Sequence, residues 1–196
     1  MIWPNIPFKR CDYSIERSIK GFDNPFNQGG QQADYGGALW ECEVELAWLT
    51  RSQAGEVLGL LAEHGRSGIL LPDAAHAEPE GPGGGSPVTL GENQGGIVNV
   101  IGASPNVPGW LKAGDLVQIG SHMHMLTRDA DTDGGGYAPL YITPYLRVLP
   151  AAGTQVITRN CACLMQLEPK AVLPRRISKG KRYLTEMKLN FVEVMG

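Results

Sequence analysis

The chain has 196 residues, of which 42% are hydrophobic, with 26 glycines and 14 prolines. That is enough apolar material to pack one domain or two small ones, which argues against wholesale disorder, and the glycine and proline content suggests many turns. The net charge of −3, from 17 basic and 20 acidic residues, offers no global positive field for phosphates, and no apolar run is long enough to span a membrane.

The opening MIWPNIPFKR lacks the apolar core of a signal peptide, so no export leader is expected. In that setting Cys11, Cys42, Cys161 and Cys163 are expected as free thiols. Cys161 and Cys163 form a C-x-C pair on a predicted strand, where alternate residues lie about 6.6 Å apart, too far for a bridge. The spaced C-x₂-C or C-x₄-C groups of metal and cluster sites are missing.

Residues 13–17 alternate weakly, and residues 24–37 (NPFNQGGQQADYGG) read as an exposed loop. Residues 39–48 (LWECEVELAW) alternate fully. Trp40, Cys42, Val44 and Leu46 share one face and Glu41, Glu43 and Glu45 the other, as in a half-buried strand with a charged solvent side. A helix should follow. Thr50 and Gln53 have capping-box spacing, Ala54, Val57, Leu58 and Leu61 form one apolar stripe, and Gly65 is placed to stop the helix at C′. Residues 68–71 (GILL) read as a short strand, and residues 73–87 (DAAHAEPEGPGGGSP) as a linker whose composition opposes regular structure.

Alternation resumes over 88–101, with Val98 and Val100 on one face, and residues 108–167 consist of short apolar runs separated by Gly- and Asp-rich turns. The C-terminal strand, 183–195, has Met187, Leu189 and Phe191 on its apolar face. The expected fold is mainly β: an antiparallel β-sandwich with one packed α-helix, plus an inserted small β-barrel-like unit. Residues 1–72 with 170–196 would form a discontinuous sandwich and helix domain, 73–87 the linker, and 88–169 the inserted unit.

Three groups could carry chemistry. Asp129, Asp131 and Asp133 open like an EF-hand calcium loop, but position twelve is Leu140, which fits a hairpin tip better than a calcium site. His122 and His124 form H-x-H and should project from one strand face, as a zinc pair could, although no third ligand stands out. Residues 170–182 (KAVLPRRISKGKR) hold six lysines and arginines without interleaved aromatics, so a single-stranded nucleic acid partner is disfavoured. The acidic face of Glu41, Glu43 and Glu45 and the basic residues Arg175, Arg176, Lys179, Lys181 and Arg182 could instead pair head to tail between copies. No nucleophile elbow, phosphate loop or H-E-x-x-H is present, so no catalytic residue is assigned and no cofactor is expected.

Two blocks carry a family resemblance. One is Trp48-Leu-Thr running into 53–65 and 68–71. The other is PGWLKAGDLVQI over 108–119, continuing through 129–136, TPYLR at 143–147 and the apolar 163–167. Together they resemble the distal tail proteins of long, non-contractile-tailed phages. The resemblance covers roughly half the chain and rests on turns and strands. It implies a structural virion protein, not an enzyme, located at the tail tip and assembled in the host cytoplasm. It also implies a homo-oligomer, typically a hexameric ring, joining the tail tube protein to the baseplate hub protein, with no membrane and no direct nucleic-acid recognition. The other readings are a β-barrel module binding carbohydrate or calcium through Asp129, Asp131 and Asp133, and a zinc-dependent hydrolase using His122 and His124.

Overall fold

The computed structural model describes residues 1–16, 19–23, 30–34, 38–91, 93, 95–171 and 183–194. The strands in chain order are β1 (Arg10–Glu16), β2 (Ile19–Asp23), β3 (Gly30–Asp34), β4 (Leu39–Thr50), then helix α1 (Arg51–His64), β5 (Ile69–Pro72), β6 (Gly85–Thr89), β7 (Ile97–Ala103), β8 (Leu116–Ile119), β9 (His122–Leu126), β10 (Ala138–Thr143), β11 (Val156–Ile157), β12 (Ala162–Leu167) and β13 (Tyr183–Glu193). The fold is mainly β, sandwich-like, with antiparallel sheets and one helix among the described residues.

One sheet has five strands in the order β1-β4-β13-β12-β5. Its backbone is the long β4–β13 ladder, running from Tyr183 opposite Thr50 to Val192 opposite Glu41. The alternation in β4 does what its period of two requires: Trp40, Cys42, Val44 and Leu46 are all buried, and Met187, Leu189 and Phe191 of β13 join them in one core. Helix α1 lays Ala54, Val57 and Leu61 into the same core. Its capping box is complete, since Thr50 Oγ1 accepts from Gln53 N–H and Gln53 Oε1 accepts from Thr50 N–H at 3.0 Å.

The second sheet has six strands in the order β11-β8-β9-β10-β7-β6 and curls into a nearly closed barrel. Its edges meet where Val88 bridges Gln155, and Thr89 N–H donates to Thr154 O at 2.8 Å. Val98, Val100, Trp110, Leu111, Val117 and Leu140 fill the interior. Leu116 and Met123 point the other way, into the five-stranded sheet's core, so β8 and β9 serve both units.

The structure departs from the sequence reading in several places. Strand β12, expected in the inserted unit, pairs with β5 and β13 in the five-stranded sheet. A short apolar strand carries no local mark of which sheet it will join. Residues 30–34, expected in a loop, pair with 19–23 through β2 and β3 without the alternation that reveals a half-buried strand, while 24–29 and 35–37 lie outside the described residues. Gly65 caps α1 in the right-handed region, with φ −57°, and the left-handed residue comes later, at Gly68 with φ +108°.

Residues 73–87 are not a free linker. Asp73 is buried, and its Oδ1 accepts from Ala75 N–H and His76 N–H. Asp115, also buried, accepts from Glu80 N–H (2.7 Å), Gly81 N–H (3.2 Å) and Lys112 N–H (2.7 Å). The Trp110 indole N–H donates to Gly84 O at 3.0 Å. A Cβ at Gly81 would lie 2.5 Å from Trp110 O, so only glycine lets the two segments touch. The segment ends in β6, where Pro87 is tolerated because the strand is at a sheet edge with an irregular register.

Candidate functional site

The two histidines stand at the junction of the two sheets. Strand β9 alternates, so His122 and His124 share one face, and both line a cavity of about 300 Å³. Arg147, from the segment after β10, and Glu193, the last residue of β13, complete its polar wall, and Pro144, Leu146, Val148 and Pro150 form an apolar side. Glu193 is 3% exposed and both its oxygens are engaged. Oε1 meets His122 Nδ1 at 2.8 Å, and Oε2 accepts from Trp40 N–H at 3.1 Å and from Arg147 Nη2 at 3.1 Å. Arg147 Nη2 also donates to Ala38 O at 2.7 Å. Three segments far apart in sequence therefore converge on the one carboxylate of β13. Nearby, the Trp40 indole N–H donates to Met123 O at 2.6 Å, a second link between the sheets.

Burial by itself would raise the pKa of Glu193. The hydrogen bonds from His122 and Trp40 N–H and the charge of Arg147 outweigh it and hold the carboxyl below its usual range, so it is ionised at neutral pH. His124 is buried, and its Nδ1 donates to Pro144 O at 2.7 Å. Desolvation dominates there and pushes its pKa down to about 4, so the ring is neutral at physiological pH. Glu193 thus accepts three hydrogen bonds, one on Oε1 and two on Oε2. The cluster is an electrostatic joint between sheet and barrel.

The calcium reading meets a different geometry. Asp129 accepts from Ala113 N–H (2.9 Å) and pairs with Lys112 Nζ (2.9 Å), Asp131 accepts from Gly109 N–H, and Asp133 Oδ1 accepts from Gly135 and Tyr137 N–H. Each carboxylate fixes a different turn of the β9–β10 connection and of the 108–115 loop. Among the described residues, no three His, Cys, Asp or Glu side chains are grouped to hold a metal ion.

The acidic face forms a groove on the five-stranded sheet, lined by Asp12, Ser14, Glu41, Glu43, Glu168 and Asn190. A hydrogen bond with Glu16, then burial, raises the pKa of Glu41, and the nearby Glu168 adds to the effect. Glu45 departs from the expectation of a free acid. It is buried, and Lys9 Nζ holds it at 2.7 Å, which lowers its pKa. Arg175, Arg176, Lys179, Lys181 and Arg182 lie outside the described residues.

The four thiols are free. Cys42, Cys161 and Cys163 are buried in the sheet core, and burial pushes Cys161 and Cys163 up to about 12, so neither is a nucleophile at neutral pH. Cys11 and Cys42 approach to 3.5 Å between their sulfurs.

Arg147 and Glu193 are the site residues that the sequence reading missed. The signal for Glu193 was present: it continues the apolar face of Met187, Leu189 and Phe191, where a carboxylate must find partners. Nothing local marked Arg147. Comparison of the chain with protein-family models and with curated proteins found no match. No helix among the described residues is long and apolar enough to cross a membrane.

Proposed function

We propose that the chain is a structural protein of a phage tail tip that assembles into a ring, six copies by analogy with the family it resembles, between the tail tube and the baseplate hub. The observation that carries this reading is charge placement. The groove of the five-stranded sheet gathers Glu41, Glu43 and Glu168, none of which forms an ion pair among the described residues. The same chain carries six basic residues between 170 and 182. Opposite charges on two parts of one chain favour head-to-tail contacts, and such contacts close into rings when the rotation allows. The architecture of a sandwich-like sheet with one helix and an appended small barrel is also what the resemblance implies.

The test is a charge swap. Arg175→Glu with Arg176→Glu should weaken self-association measured by analytical ultracentrifugation, most at low salt, where exposed charges are least screened. Adding Glu41→Arg and Glu43→Arg to that variant should restore part of it. Association indifferent to both changes and to salt would contradict the proposed contact.

A further inference from the structure

The junction cavity holds two imidazoles in an arrangement that the tail-tip reading does not use. His122 Nδ1 meets a carboxylate and His124 Nδ1 meets a backbone carbonyl. Ionised carboxylates and carbonyls only accept, so both Nδ1 atoms carry a proton, which leaves Nε2 as the atom through which either ring can bind a metal. Neither Nε2 makes a hydrogen bond among the described residues, and both rings line the same cavity from one face of β9. A hydrogen bond from Nδ1 to a carboxylate or carbonyl is how proteins orient imidazoles that bind metal through Nε2. The positive charge nearest the pair, Arg147, is neutralised by Glu193, so the cavity does not repel a cation as an unpaired guanidinium would.

We infer that His122 and His124 form a two-imidazole site for a divalent transition-metal ion of the zinc and nickel class. This inference does not depend on the tail-tip reading. Imidazole nitrogen selects these ions over magnesium or calcium. The chain supplies two ligands, since no third His, Cys, Asp or Glu is grouped with them among the described residues. The remaining coordination positions would fall to water. Binding is therefore weaker than at a closed structural site.

The probe is nickel(II) chloride, titrated calorimetrically at pH 7.5 into the full chain after chelator treatment and dialysis, with Cys11→Ser as a control for thiol binding. One ion per chain should bind, and His122→Gln and His124→Gln should each weaken it by about tenfold or more. Should either variant fold poorly, ring-nitrogen NMR of the unaltered chain decides. Nickel, or zinc where a diamagnetic ion is needed, should shift the Nε2 signals of two histidines and leave those of His64 and His76 in place. Absence of saturable binding, binding unchanged by both substitutions, or unmoved Nε2 signals would overturn the inference.

Discussion

Glu193 is where a single residue matters most. Replacing it with glutamine preserves shape but leaves Arg147, 27% exposed, without its counter-ion, and His122 without its acceptor charge. Breaking one side of such a pair costs several kcal/mol when fully buried, and the partial exposure of Arg147 reduces this to about 2 kcal/mol. Urea unfolding of Glu193→Gln should show that loss. His124 gives a second expectation. Its pKa falls from 6.5 unfolded to about 4 folded, so between these values the unfolded chain binds more protons. Its contribution to stability is present above pH 6.5 and is lost as pH falls toward 4. In EDTA, lowering the pH from 7.5 to 5 should remove about 2 kcal/mol through this residue alone. His124→Gln should have a correspondingly flatter stability profile, and an equal slope in the two proteins would refute the assignment.

At the scale of elements, the tie between 73–87 and the 108–115 loop rests on Asp115. Asp115→Ala would leave three backbone N–H groups without their acceptor, at a cost of about 3 kcal/mol. Limited proteolysis should then cut the variant near Gly81 and spare that site in the intact protein. Thr50→Ala, by contrast, should cost only about 1 kcal/mol through the exposed cap of α1, read as a small drop in Tm. This contrast also marks what the sequence could reveal. Strand β4 and helix α1 were legible because their signals are local: a period of two in Trp40-Glu41-Cys42-Glu43-Val44, and a threonine with glutamine three residues on. The clamp on 73–87 was not, because Asp115 lies some 35 residues away and looks like any turn aspartate. The H-x-H pair was legible as two histidines on one face, but the carboxylate that holds His122 comes from 71 residues away. Long-range pairing is what periodicity cannot encode, and the placement of β12 in the five-stranded sheet is another case of it.

At the scale of the whole molecule, a sheet and a small barrel share strands β8 and β9 and are linked by Glu193 and the Trp40 indole. The barrel therefore cannot swing against the sheet without breaking buried contacts. The acidic groove lies on the five-stranded sheet, lined by Glu41, Glu43 and Glu168. The most direct measurement is the native mass of the purified chain by mass photometry, across protein and salt concentration, with negative-stain images of the same sample and a parallel sample mixed with tail tubes. A tail-tip ring should give annular particles of six copies of the 21.1 kDa chain, about 127 kDa, falling apart as salt rises. A 21.1 kDa particle under every condition, tubes included, would contradict it.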